Sequence, residues 1–157
     1  MAGQHTDITS GLFSGQNTLS GKEGRLFLDG EELASIKGFE STIEKTKEDV
    51  PIMGRRFMSK KTNGVSGSGT MTFYKVSSRF IELMLQYIET GIDQYFTVQS
   101  VLDDKGAGLG TERVTLYNVN FDSVPFGMLD VETASLEEEI PFTFEGAKLP
   151  EKLKSKF

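Results

Sequence analysis

The 157-residue sequence contains no cysteine and no tryptophan, and its single histidine is His5. Without cysteine, the chain has no disulfide framework, no cysteine-ligated zinc site and no thiol nucleophile. One histidine argues against a histidine-rich metal site and a Ser-His-Asp triad. No apolar run approaches the roughly 18 residues that a membrane-spanning helix needs, and the N-terminal MAGQHTDITSG lacks the basic and apolar regions of a signal peptide. We therefore expect a protein that is made in the cytoplasm and has no membrane contact.

The chain nevertheless has enough apolar material for a real core. Hydrophobic residues make up 37% of it, and its length suits a single domain with room for arms or a long loop. The net charge of −6 is uneven: the first 78 residues carry a net +1 and the remainder a net −7, while residues 45–61 carry a net +4. This polarity argues against a protein that wraps nucleic acid, which needs a broad basic surface. It would allow the basic segment of one molecule to meet the acidic surface of another, although two unrelated solvated patches would look the same.

The N-terminal half is predicted to form an arm, strands and a long loop. Residues 1–20 are polar and aperiodic, and we expect a flexible N-terminal arm. Asp29-Gly30 between two β-prone runs predicts a hairpin, and the second run is expected to continue as one long strand to about residue 44. Along that strand, Phe39, Ser41 and Ile43 alternate with Glu40, Thr42 and Glu44. Residues 46–69 are broken by Pro51 and four glycines and carry no periodicity, which predicts a functional loop.

The second half is predicted to contain the one helix and most of the strands. Apolar residues spaced three and four apart predict a helix over 78–90 that ends at Gly91, and its core face comprises Phe80, Leu83, Met84, Tyr87 and Ile88. Strands are predicted over 70–76, 94–102, 111–122, where a bulge near Tyr117 is expected, and 130–146. In the last, Leu136, Ile140, Phe142 and Phe144 face opposite to Glu137, Glu139, Thr143 and Glu145, and Pro141 indicates an edge or a bulge. Residues 147–157 are interpreted as a second arm.

The fold class that follows is mainly β, an antiparallel sandwich or partly closed barrel with one flanking helix. Four motifs contain residue types that can carry chemistry, and none of them supports an enzyme or a cofactor. GAGLG at 106–110 and SGSGT at 66–70 precede strands rather than the helix that a phosphate site needs. Asp103-Asp104 does not match a calcium loop. Glu137 and Glu139 share one wet face, which does not separate two carboxyl pKa values as a glycosidase requires.

Six ordered blocks give the sequence a resemblance to a known family. They are QNTLSGKEGRLFLDGEEL (16–33), IMGRR (52–56), GSGTMTFYKV (67–76), QYFTVQSVLDD (94–104), GTERVTLYNVNFDS (110–123) and LEEEIPFTFEGAKLPEKL (136–153). On these blocks the chain resembles the tail tube proteins of contractile-tailed phages of the PBSX type. The resemblance covers residues 16–157.

The resemblance implies a tail-tube β domain over 21–146 that forms homohexameric rings, stacked into a hollow tube inside a contractile sheath. It implies that 46–66 is an inter-ring loop, whose basic residues are Lys47, Arg55, Arg56, Lys60 and Lys61. DNA would pass through the lumen without specific binding, and the polar strand faces make Glu40, Glu44, Glu137 and Glu139 the candidate lumen-lining residues. The implied partners are the sheath, tape-measure, baseplate and terminator proteins, and the implied location is the tail of the virion.

Two alternatives stay open at the level of sequence. One is a monomeric β-sandwich that binds a carbohydrate or a receptor. The other is the tube of a phage-like bacteriocin or injection machine, which has the same architecture and carries no genome. Neither alternative requires a catalytic residue.

Overall fold

The computed structural model describes residues 14–155, which form eight strands and one α-helix. The predicted class, mainly antiparallel β with one helix, is confirmed, and the strands do not close into a barrel. The elements are β1 (Gly24–Leu28), β2 (Glu31–Glu32), β3 (Ile36–Val50), β4 (Ser59–Tyr74), α1 (Arg79–Thr90), β5 (Phe96–Asp103), β6 (Thr111–Phe121), β7 (Glu137–Phe144) and β8 (Gly146–Glu151). Short 3-10 turns occupy Gly15–Asn17, Gly21–Glu23 and Lys105–Ala107.

The chain divides into two compact units, and the first comprises residues 14–34, 97–115 and 147–155. Its strand order is β2-β1-β5-β6, and β8 also pairs with β6. The predicted Asp29-Gly30 turn is present, because both residues adopt positive φ, as a two-residue hairpin loop requires. Leu26, Leu28 and Val98 form the buried centre of this unit.

The second unit comprises residues 35–96 and 116–146 and has the strand order β6-β7-β4-β3. Its core is built from alternate residues of β4 and β7, since side chains at every second position of a strand share a face. Met71 pairs with Ile140 and Phe73 with Glu138 across the ladder, and all four side chains are buried. Asn118 has a φ of 53°, which interrupts the alternation of β6 next to Tyr117, where the bulge was predicted.

The predicted long loop at 46–66 is instead mostly β-hairpin, so that prediction of its structure was wrong. β3 extends to Val50 and pairs with Ser59 of β4, and only residues 51–58 between them are outside the ladder. The glycines of this segment weaken its intrinsic strand preference, but backbone pairing along the whole of β3 compensates for it. A register shift at Thr46/Lys47 accommodates an irregularity in that ladder.

Several other local predictions are corrected. The single strand expected after Gly30 is divided, because the chain turns at residues 34–35 and β3 then pairs with β4. Pro141 is not on an edge strand, since β7 lies between β4 and β6; it sits just beyond the two-residue ladder with β6. The predicted C-terminal arm 147–157 contains β8, whose backbone donors and acceptors pair with β6.

The N-terminal arm predicted over 1–20 lies partly outside the described residues. The part that is described, residues 14–20, is attached to the first unit. Asn17 is buried and donates to the Ala107 carbonyl at 3.3 Å, and the Ser20 amide donates to the Asp104 carboxylate at 2.9 Å.

The predicted helix is confirmed as α1, and it ends as predicted. Gly91 has a φ of 72°, and its amide donates to the Tyr87 carbonyl, which is the usual left-handed helix end. Ser78 is the N-cap residue but makes no capping hydrogen bond through its side chain. Within residues 14–155, no helix is long and apolar enough to cross a membrane.

Candidate functional site

The four predicted lumen glutamates lie on one face of the β3-β4-β7 sheet. Glu40 and Glu44 of β3 pair with Thr70 and Ser66 of β4. On the other side of β4, Glu139 pairs with Thr72 and Glu137 with Tyr74. All four partners occupy even-numbered positions of β4, so the glutamates point to the same side of the sheet.

This surface, which we call the polar face, is made of glutamate, serine and threonine. It also carries Thr42, Ser68 and Thr143, which pair in one row across the three strands. Glu40, Glu44 and Glu139 are exposed, and Glu137 is half-buried. The sequence predicts the alternation within each strand, and the strand pairing brings the two pairs of glutamates together.

One basic side chain, that of Lys37, reaches the polar face near the start of β3. The Lys37 ammonium forms an ion pair with the Glu137 carboxylate and lies 6.0 Å from the centre of the Tyr74 ring. The hydrogen bond to Glu137 raises the pKa of Lys37 above its ordinary value, mainly because it stabilises the charged form. Lys37 therefore remains protonated at neutral pH and neutralises one of the four glutamates.

The opposite face of the same strands is apolar and holds the sheet in place. The rings of Phe39 and Phe142 stack with their centroids 5.8 Å apart. Phe142 and Phe144 lie directly over Gly69 and Gly67 of β4, where a Cβ atom would stand 2.5 Å and 2.4 Å from the respective rings. These two glycines are needed because the aromatic rings approach the β4 backbone closely. The glycine-rich sequence at 64–69 is therefore explained in part by the packing of two aromatic rings.

The predicted basic residues lie on the part of the hairpin that extends beyond the rest of the unit. The last β4 residue that pairs with β7 is Gly67, and β4 begins eight residues earlier, at Ser59. At about 3.3 Å per residue this distal hairpin is about 26 Å long. It carries the five predicted basic side chains Lys47, Arg55, Arg56, Lys60 and Lys61 and also Lys45, all exposed.

The hairpin tip, residues 51–58, is apolar as well as basic, which sequence reasoning missed. Met53 and Phe57 are 101% and 92% exposed, and Ile52 and Met58 are also exposed. Gly54 has a φ of 81° and makes the turn. Apolar residues next to a turn glycine in IMGRRFM were the available signal, but their exposure depends on the hairpin having no sheet beneath it.

Only the first half of the predicted core face of α1 is covered by other residues, so the predicted core face is corrected. Phe80 is buried, with ring centroids 5.0 Å from Phe73 and 5.5 Å from Phe121. Leu83 and Met84 are half-buried, whereas Tyr87 is 45% and Ile88 68% exposed. The helical period is as predicted, but the second half of α1 extends past the aromatic cluster that covers its first half.

A groove runs beside the exposed half of α1. It has a volume of about 330 Å³ and is lined by side chains of α1 and of the β5 and β6 ends, including Leu83, Tyr87, Phe96, Phe121, Asp93 and Asp122. The Asn120 amide donates to the Gln94 carbonyl at 3.2 Å, and the Gln94 side chain donates to Gln86 at 3.0 Å. These hydrogen bonds hold the segment after α1 against β6, so the groove is a preformed feature.

Within residues 14–155, the glycine-rich and acidic motifs of the sequence have structural roles. In the segment 103–110, Asp104 accepts from the Gly106 amide at 3.0 Å and so caps a 3-10 turn. Gly108 and Gly110 have positive φ and lead into β6 rather than a helix. Glu138, between Glu137 and Glu139 of β7, is buried and pairs with Lys75 at 3.1 Å.

Comparisons with known proteins agree with this architecture. The family model described as phage tail tube protein, DUF2001, matches residues 12–151. The chain is 61% identical over 142 residues to the phage-like element PBSX protein XkdM of Bacillus subtilis strain 168, with 90% of this chain and 97% of that relative covered.

Two solved structures share the fold at low sequence identity. The tube-terminating cap of the anti-feeding prophage gives a TM-score of 0.70 at 11% identity and covers 92% of this chain and 99% of that chain. A chain of the extended sheath–tube complex of the extracellular contractile injection system PVC gives 0.66 at 9% identity and covers 86% and 93%. The family match spans most of the sequence, including every strand described above. The chain therefore belongs to the phage tail tube protein family, and its role is that of a structural tube component.

Proposed function

We propose that six copies of this chain form a ring, that rings stack into a hollow tail tube, and that DNA passes through the tube with the polar face as its wall. The observation that carries the proposal is the placement of Glu40, Glu44, Glu137 and Glu139 on one face of β3, β4 and β7. A surface of glutamate, serine and threonine that is backed by aromatic rings is suited to face water across a wide lumen.

The electrostatics of the polar face favour passage over binding. Carboxylates repel phosphates at distances comparable to the screening length, which is about 8 Å at physiological salt. Protein–DNA affinity depends on lysine and arginine contacts to phosphate, and Lys37, the lysine that reaches this face beside β7, is already paired with Glu137. A wall of this composition would keep the duplex from adhering while it moves.

Closure of a ring would also remove an exposed strand edge. β3 is the end strand of the second unit and is fifteen residues long. A long, unpaired edge invites uncontrolled pairing, and closed assemblies avoid this by pairing each edge with a neighbour. The distal hairpin, which extends about 26 Å past the β7 ladder, is the segment that we assign to the contact between stacked rings.

We propose that the tube lies in the tail of a virion, inside a contractile sheath, after synthesis in the host cytoplasm. The sheath–tube complex and the tube cap among the structural neighbours support partners outside the tube and at its end. Tape-measure and baseplate proteins would complete the tail. A phage-like bacteriocin would contain the same tube without a genome, and the nucleic-acid content of isolated particles distinguishes the two. A monomeric binding module would form no tube.

The lumen assignment is tested in particles by charge reversal. Tails with Glu40→Lys and Glu139→Lys should assemble, because both side chains are exposed, but they should slow or trap DNA during ejection. The measurement is the amount of DNA released over time, beside electron micrographs of the tails. Glu82→Lys and Glu89→Lys, both exposed on α1 and outside the polar face, make the same change of charge and are the matched control. Normal DNA release from tails that carry the lumen lysines would refute the assignment.

A further inference from the structure

The groove beside α1 has the features of a receptor for another protein surface. Aromatic and aliphatic side chains form its walls, and Tyr87 at its rim is 45% exposed. The carboxylates of Asp93 and Asp122 stand at the same groove, and none of the described residues that line it is basic. Ile88, Ile92 and Tyr95, each next in sequence to a residue that lines the groove, are exposed as well. Large exposed apolar side chains beside a groove are typical of an interaction site.

The hairpin tip has the complementary character. Met53 and Phe57 are exposed almost completely, and Arg55 and Arg56 lie between them in sequence. A two-stranded hairpin without a covering layer is marginally stable alone. The tip therefore presents apolar side chains and positive charge on an arm that gains support when it docks.

The tip cannot fill the groove of its own chain while the hairpin is straight. Phe121, in the groove wall, pairs with Phe142 of β7. The tip begins beyond Ser59, which is eight β4 residues past Gly67, the partner of Phe144. At about 3.3 Å per residue the tip is about 26 Å beyond the end of that ladder, so it is placed to reach a neighbouring molecule.

We propose that the groove beside α1 of one copy receives the hairpin tip of another copy. Phe57 enters between α1 and β6, and Arg55 and Arg56 pair with Asp93 and Asp122 at the rim. The inference rests on the proposed function, because it supposes that copies of this chain assemble. It adds the surface that the hairpin contacts and the residues that recognise it.

The absence of cysteine makes a clean cross-linking test possible. Phe57→Cys and Tyr87→Cys are introduced into separate full-length chains, one of them with a size tag, and the two are mixed under assembly conditions with a short thiol-to-thiol cross-linker. Both positions are substantially exposed, and the melting temperature of each variant verifies its folding. The matched control replaces Tyr87→Cys by Glu89→Cys, which lies two residues further along α1 and outside the groove.

The expected result is at least about fivefold more tagged heterodimer with Tyr87→Cys than with Glu89→Cys. Equal yields, or more with Glu89→Cys, would overturn the proposal. Electron microscopy of the same mixtures reads the proposed function separately. Tubes without the selective cross-link would support the tube role and rule out the groove as the docking site. The selective cross-link without tubes would support the groove as the docking site and contradict the tube role.

A charge exchange provides a second test that needs no cross-linker. Asp93→Lys with Asp122→Lys should reduce the amount of assembled material at least about fivefold, and Arg55→Glu with Arg56→Glu in the same chain should restore most of it. The two arginine substitutions alone are the control and should also reduce assembly. If the quadruple variant assembles no better than the double variants, the pairing is contradicted, because complementary charges act through the pair rather than through either site alone.

Discussion

Gly69 is the position where the sheet beneath the polar face is most sensitive to a single methyl group. A Cβ atom at Gly69 would stand 2.2 Å from the Glu40 carbonyl oxygen of β3 and 2.5 Å from the Phe142 ring. Gly64 lies on the same strand with open space around its Cα, and it has no positive φ. Gly69→Ala and Gly64→Ala therefore make the same chemical change on one strand in two different environments.

The difference between the two variants can be estimated from the structure. Overpacking a close-packed site costs about 1–3 kcal/mol. The nearest atom at Gly69 belongs to the backbone of a paired strand, which cannot rotate away, so we expect a cost of about 3 kcal/mol. The gain from a less flexible unfolded chain, about 0.4–1 kcal/mol for Gly→Ala, is common to both variants and cancels in the comparison.

Thermal unfolding followed by circular dichroism measures this difference. For a protein of this size each kcal/mol corresponds to about 2–4 °C in the melting temperature, so Gly69→Ala should melt about 6–12 °C below Gly64→Ala. Measurements at low protein concentration keep assembly from contributing to stability. Equal melting temperatures would refute the close packing of β3, β4 and β7 on which the polar face depends.

Two further predictions concern buried and local charges in the second unit. Lys75→Met leaves the Glu138 carboxylate, 4% exposed, without its ion-pair partner. The free energy of unfolding should fall by about 3 kcal/mol in denaturant titrations, and Glu138→Gln added to the variant should recover part of the loss. A decrease below about 0.5 kcal/mol for Lys75→Met would contradict the pairing. Hydrogen bonds from the Thr133 hydroxyl and the Glu132 amide hold the pKa of Asp130 below its ordinary value. The ionised carboxylate therefore stabilises this turn above the ordinary pKa, and its contribution disappears as the pH falls through the lowered pKa. The Glu132 amide resonance should titrate below pH 3.8, and a midpoint above that value would be the contrary result.

Much of the local structure could be predicted because its cause is local. Asp29-Gly30 tolerates positive φ, so the turn follows from two adjacent residues. The helical period from Phe80 to Tyr87 and the glycine after it are likewise visible in a short window, and α1 ends where they indicate. The alternation of β7 is equally clear, since its even positions from 138 to 144 are all buried.

The hairpin and the groove could not be predicted because their causes lie elsewhere in the chain. The segment that contains Gly64, Gly67 and Gly69 has weak strand preference, and its place in β4 follows from pairing with β3 and β7. The exposure of Ile88 depends on what covers the end of α1, which no helical period reveals. The sequence predicts which face of its own strand Glu40 and Glu139 each occupy. Whether the two strands place them on the same side of the sheet depends on strand register.

The most direct test of the tube account is a helical cryo-electron microscopy reconstruction of tails that contain this chain. The account predicts six copies per ring, with β3, β4 and β7 around the lumen and Glu40, Glu44 and Glu139 pointing into it. A reconstruction in which those glutamates point away from the lumen, or in which this chain forms no ring, would contradict it.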